Sequence, residues 1–281
     1  MAKLNWEYYQ KNANAILSDG LFVLKQIILT KNEEALSINA GNYLISLCGK
    51  PPYYIGQAKN VKKRAKQEFN LKYSTFYKGL RENTRRHEGF SNLEIGDFHI
   101  QAIETRIGRK ELEEFGIVNL PAVLNKFHID KRPRMEIDIS KGVWKIVQET
   151  SEEVLSEGEK LLFQGRPVGW FDATIPITPG IYYVLYKAGE MIYIGESSDI
   201  NERHSTHTGT TYFSALRRHI GTDMLGFKFV GKKKFSDKDD AAVTNFLRNC
   251  KICFMPVEFG RLELEEKLIK SYNPTLNRKV L

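Results

Sequence analysis

Tyr43, Tyr54 and Arg64 are spaced as Tyr182, Tyr193 and Arg203 are, each residue of the second set falling 139 positions after its counterpart. These side-chain types share a chemistry. A guanidinium stays charged at any working pH and can hold two phosphate oxygens through parallel hydrogen bonds. A phenol, with a pKa near 10, is a poor base at neutral pH unless cationic neighbours lower it. An arginine on a helix is equally an ordinary surface charge, and a strand tyrosine equally a packing group. The repetition singles these residues out.

The stretches that must position them repeat as well. "GNY" (41–43) and "YIG" (54–56) return as "GIY" (180–182) and "YIG" (193–195). "TFYKGLR" (75–81) answers "TYFSALR" (211–217), and "LSDG" (17–20) answers "LSEG" (155–158). "GRKELEEFGIVNLPAVLN" (108–125) aligns without a gap with "GRLELEEKLIKSYNPTLN" (260–277). The offset widens before this last block, which puts an insertion in the second copy around residues 231–250. The chain therefore reads as two tandem copies of one unit, over residues 17–125 and 155–277. The expected domains are 1–128 with a helical lead-in, a linker over 129–150, and 151–281.

Each copy opens with a helical stretch. Residues 181–188 and 191–196 are aromatic and β-branched around a Gly-containing turn, which predicts two short strands. Ser and Asp at the start of 197–207 predict a capped helix. Leu264, Leu268 and Tyr272 fall at helical spacing, and Asn273-Pro274 stops that helix. The expected class is α+β, each unit a small three-stranded, mainly antiparallel sheet flanked by helices.

A net charge of +8 makes an anionic partner such as nucleic acid plausible. Three cysteines give no even disulfide framework, nothing resembles a signal peptide, and the apolar runs are too short to span a bilayer. A cytoplasmic setting without a membrane partner is expected. Cys250 and Cys253 form a lone CxxC, and zinc would need two further ligands, so they read as buried strand thiols.

The order Gly-x-Tyr, Tyr-Ile-Gly, helix arginine, helix glutamate and tail asparagine resembles the GIY-YIG nuclease family. That family includes homing endonucleases, some restriction enzymes and repair incision nucleases. The resemblance covers nearly all of the second copy and, more loosely, the first. It implies an endodeoxyribonuclease dependent on Mg²⁺ (or Mn²⁺), with no small-molecule cofactor, acting on duplex DNA, and a monomer is plausible.

In residue terms it implies that Glu265 and Glu113 each hold one metal, and that Arg203 and Arg64 grip phosphate. Tyr182 and Tyr193, with Tyr43 and Tyr54, would stand near the attacking water, Arg203 and the metal lowering their pKa. His207, four residues past Arg203, matches a histidine of some restriction-type members; the first copy has Glu68 there. Asn277 and Asn125 match a tail asparagine that helps order the site.

Lys62, Lys63, Arg81, Arg217 and Arg218 fall near the motif helices and are expected to add affinity for nucleic acid through counterion release. If each copy cut one strand, a single chain could make a double-strand break in a restriction, defence or mobile-element role. The alternatives are a structure-specific repair or recombination nuclease, or a nucleic-acid-binding protein with one inactive unit. Asn42, Glu68 and Gly116 speak for the last.

Overall fold

The computed structural model describes residues 5–31, 33–84, 92–125, 132, 134–135, 142–187 and 189–277. Two compact units divide at Ser151.

The first unit begins with α1 (Trp6–Lys11), capped by the Asn5 side chain, and α2 (Ala13–Gln26). Strands β1 (Gly41–Leu47) and β2 (Pro52–Ala58) lead into α3 (Val61–Glu68) and α4 (Thr75–Thr84). Strand β3 (Phe98–Glu104), α5 (Arg109–Asn119) and α6 (Val143–Glu149) complete it. The sheet is antiparallel in the order β2-β1-β3.

The central strand β1 is covered on both faces, as its near-continuous apolar run requires. Tyr43 and Ile45 enter a core with Val61, Phe76, Phe98 and Leu124. Asn42, on the opposite face by the period of two, donates to the Arg109 carbonyl at the start of α5. Gly116 in the middle of α5 is a packing feature, because a Cβ there would run into the Ile55 side chain.

One part of the expected linker does not behave as a linker. Helix α6 packs on α2, with Trp144 buried against Gly20 and its backbone N–H held by Asp19. It therefore belongs to the first unit. Residues 126–131, 133 and 136–141 of the same stretch lie outside the described residues.

The second unit runs through a corresponding order: α7 (Ser151–Gln164), β4 (Val168–Gly169), β5 (Gly180–Tyr186), β6 (Glu190–Ser197), α8 (Ile200–Thr208), α9 (Ala215–His219), α10 (Asp237–Arg248), β7 (Cys250–Pro256) and α11 (Arg261–Tyr272). Its sheet has four strands, not the expected three, in the order β4-β7-β5-β6. The extra strand is two residues long and pairs with Ile252 and Lys251 of β7. Helix α10 occupies the stretch where the sequence offset widens.

Local signals acted as their chemistry dictates. The Asp199 side chain accepts the Glu202 N–H and caps α8. Asn273, in the left-handed region, ends α11 before Pro274. On β7 the two thiols face opposite ways: Cys250 donates to the Phe246 carbonyl and Cys253 to that of Leu162.

Candidate active site

The two motif tyrosines of each unit meet because regular antiparallel pairing makes them diagonal neighbours on one face. Tyr43 faces Gly56 two places from the Ile45–Tyr54 pair, and Tyr182 faces Gly195 two places from Val184–Tyr193, with a bulge just beyond. Ile45 faces Tyr54 while Ser46 faces Pro52, so Tyr53 is unmatched; Val184 faces Tyr193 while Leu185 faces Met191, so Ile192 is unmatched. The bulge lies past the tyrosine-bearing pairs and leaves their register regular. The result is a ring-centroid separation of 6.1 Å for Tyr43–Tyr54 and 6.2 Å for Tyr182–Tyr193. Gly56 and Gly195 make the room, since a Cβ at either would strike the phenol end of Tyr43 or Tyr182.

The segment that ends each unit's repeated block holds this edge. The Leu124 and Leu276 N–H groups donate to the carbonyls of the bulge residues Tyr53 and Ile192. The Asn277 carboxamide accepts from the Ile194 N–H and donates to its carbonyl, both at 2.8 Å. Asn125 does the same at Ile55, at 2.9 and 2.7 Å. Each asparagine thus acts as a short extra strand and orders the site without facing its centre.

In the second unit the Tyr182 hydroxyl lies 2.7 Å from His207 Nε2, and His207 Nδ1 lies 2.7 Å from Ser214 Oγ. His207 is buried. Burial, then the nearby Arg203 charge, press its pKa down to about 3, so the ring is neutral at working pH. Arg203 lowers and Glu265 raises the pKa of Tyr182 and Tyr193, which places both charges within electrostatic reach of the phenols.

Burial outweighs Arg203. It lifts Tyr182 well above 10 and Tyr193, helped by Glu265, to about 12. The pull of Arg203 alone therefore gives no net lowering of the phenols, and at neutral pH, without a metal, they carry their protons.

One Glu265 oxygen accepts the Glu196 N–H at 3.1 Å. The Glu196 carboxylate is in turn held by Arg261 Nε at 2.9 Å, a fully buried arginine. Among the described residues no three His, Cys, Asp or Glu side chains converge. A cation at Glu265 would keep most of its waters, and the oxygen donor and low ligand count fit Mg²⁺.

The first unit repeats the frame with a different centre. Tyr43 donates to Glu68, which stands where His207 stands, and Ser74 Oγ also donates to Glu68. Glu113 is half-buried; burial, then the Glu114 charge, raise its pKa to about 7.

Ser74 and Ser214 had escaped the sequence reading. Each caps its helix, accepting from Tyr77 N and Arg217 N respectively. They, not Thr75 and Thr211, are the structural equivalents, because a serine cap fixes the helix start. A serine directly ahead of a helical apolar pattern was the available signal. Arg261 was missed too, although the Gly-Arg pair opens the ungapped block in both copies.

The basic residues separate into groups. Lys63 and Arg81 are exposed, whereas Lys62 pairs with Glu34. Arg218 spends Nη1 on the Thr211 and Tyr212 carbonyls. Arg217 corrects the expectation of a nucleic-acid contact. It is fully buried, ion-pairs with Asp240 at 3.0 Å and donates to the Asp240 carbonyl and Thr244. A guanidinium so enclosed ties α9 to α10 and has no face left for phosphate.

Among the described residues, no helix is long and apolar enough to cross a membrane. Searches of curated proteins and of solved structures found no match. Residues 180–280 match the family model described as the GIY-YIG catalytic domain. That span runs from the start of β5 through α11 to the tail, and over it the chain is similar to the catalytic module of a nuclease.

Proposed function

We propose that the chain is a metal-dependent endonuclease that hydrolyses DNA phosphodiester bonds, built from two copies of a GIY-YIG-like unit. The observation that carries this reading is the grouping of Arg203, Tyr182, Tyr193, His207 and Glu265 around one end of β5 and β6, inside the span that matches the catalytic domain.

Glu265 would hold Mg²⁺ or Mn²⁺, which when bound neutralises charge on the phosphate and assists the departing oxygen. Arg203 receives two phosphate oxygens as negative charge builds at phosphorus. Tyr193 and Tyr182, protonated at neutral pH, hold and orient the attacking water. Neutral His207 holds the Tyr182 hydroxyl in place, and the proton that the attacking water gives up passes to solvent. The water oxygen bonds to phosphorus, the bond from phosphorus to the sugar oxygen breaks, and that oxygen leaves with a proton.

Duplex DNA is the substrate this reading favours, in a restriction, defence or mobile-element role; a structure-specific repair or recombination nuclease is the alternative. Plasmid, linear duplex, branched DNA and RNA, each with and without Mg²⁺, separate these. We expect Mg²⁺-dependent cutting of plain duplex, lost in Arg203→Ala and not regained in Arg203→Lys, which keeps the charge but not the fork. Preference for flaps or branches selects the alternative, and cleavage that survives Arg203→Ala overturns the site assignment.

A further inference from the structure

Arg64 and Arg203 hold the same place in their units but face different neighbours. Arg64 Nη2 lies 2.9 Å from Glu68 Oε1 and 3.2 Å from Thr75 Oγ1, and its Nε donates to the Tyr43 hydroxyl at 3.2 Å. Glu68 is fully buried. Beside this ion pair it accepts hydrogen bonds from Tyr43 (3.1 Å), Ser74 Oγ (3.1 Å), Thr75 Oγ1 (2.9 Å) and the Phe76 N–H (3.0 Å). Both carboxylate oxygens are satisfied, and two of the three guanidinium nitrogens are spent on this cluster.

The second unit lacks that cluster. His207 in the position of Glu68 carries no negative charge, and among the described residues the Arg203 guanidinium makes no ion pair or hydrogen bond. A carboxylate oxygen offers a guanidinium the same anionic acceptor that a phosphate oxygen does, and Glu68 Oε1 is that acceptor for Arg64. Glu68 therefore occupies, from within the chain, the partner that Arg203 keeps open for substrate.

We infer that the first unit is a non-cleaving unit, its arginine locked by Glu68 as an internal phosphate mimic, and that the second unit makes every cut. To turn Arg64 toward DNA would strand Glu68 as a buried carboxylate without its cation, which the low-dielectric interior penalises heavily. An approaching phosphate would also meet that negative charge beside it. The inference rests on the nuclease reading above and replaces the expectation of one cut strand per unit. The Tyr54 hydroxyl, 3.3 Å from Thr75 Oγ1, is drawn into the same cluster.

Two measurements test it. On supercoiled plasmid with Mg²⁺, Glu265→Ala and Arg203→Lys are each expected to lose nicking at least 100-fold, to the protein-free background, with melting curves confirming that both fold. Nicking in either folded variant at a tenth of the wild-type rate or more that disappears when Arg64→Ala is added shows the first unit cutting and overturns the inference. Nicking that persists even then counts against the site assignment instead.

The second measurement does not need cleavage. Arginine Nε–Hε correlations are followed by NMR as a short duplex is titrated in with Ca²⁺. The Arg203 resonance is expected to shift saturably while that of Arg64 stays in place. If Arg64 shifts in parallel with Arg203, the lock does not exist. A wild-type protein that never cuts DNA counts against the nuclease reading alone, and the two resonances then still decide whether Arg64 is locked.

Discussion

The Tyr182 hydroxyl and His207 Nε2 are 2.7 Å apart, and the other ring nitrogen is held by Ser214. The imidazole is therefore oriented from both sides, and in its buried place it resists protonation. His207→Ala is expected to lower single-turnover cleavage about 100-fold, the effect of a misplaced positioning group, because the Tyr182 hydroxyl loses the partner that orients it. The rate profile of the wild type should show no limb from this histidine between pH 5 and 8, because it is already neutral there.

The same residue makes a stability prediction. Its folded pKa, about 3, lies below the unfolded value of 6.5. The unfolded chain therefore binds the extra proton between these values, and stability falls as the pH drops from 6.5 toward 3. The slope is on the order of 1 kcal/mol per pH unit. Denaturant midpoints taken at pH 4 to 7 should show it, and His207→Gln should flatten it.

Glu113 titrates in the opposite sense. Its folded pKa of about 7 stands above the ordinary 4.5, so in metal-free protein it costs stability progressively as the pH rises from 4.5 through 7. Glu113→Gln keeps the shape and removes the charge. In EDTA, denaturant unfolding should give a free energy higher by on the order of 1 kcal/mol at pH 8 and unchanged at pH 4.

Arg217 and Lys63 should separate folding from binding. Arg217→Ala leaves Asp240 and Thr244 without their partner and is expected to destabilise by about 3 to 5 kcal/mol, seen as a lower melting temperature. Lys63→Ala, at an exposed position on α3, should leave the melt alone. It should reduce the slope of log affinity for DNA against log salt by about one. Equal salt slopes for Lys63→Ala and wild type would remove α3 from the interface.

Asn277 bridges both main-chain groups of Ile194. Asn277→Leu loses two hydrogen bonds and leaves the outward main-chain groups of Ile194 without partners, a cost of about 1 to 3 kcal/mol. Because the strand carries Tyr193, cleavage should fall with it. Asn277→Asp keeps only the accepting half and should fall between leucine and wild type, which thermal melting checks.

Much of this was legible in the residues alone. Aromatic and β-branched runs marked β5 and β6, an aspartate opened α8 after them, and Asn273-Pro274 closed α11, because these signals act over a few residues of chain. The repeated tyrosine, arginine and glutamate spacing also marked the site, since each member sits at a determined place on a strand or helix. What each group meets depended on distant chain. Whether Arg217 faces solvent was settled by α10, some twenty residues on, which brings Asp240 over it. Whether Arg64 stays open was settled by the turn into α4, which folds Ser74, Thr75 and the Phe76 N–H onto Glu68. Spacing along a chain defines which side chains can meet; only the packed fold, through burial and competition for hydrogen-bond partners, decides which of them remain available to a substrate.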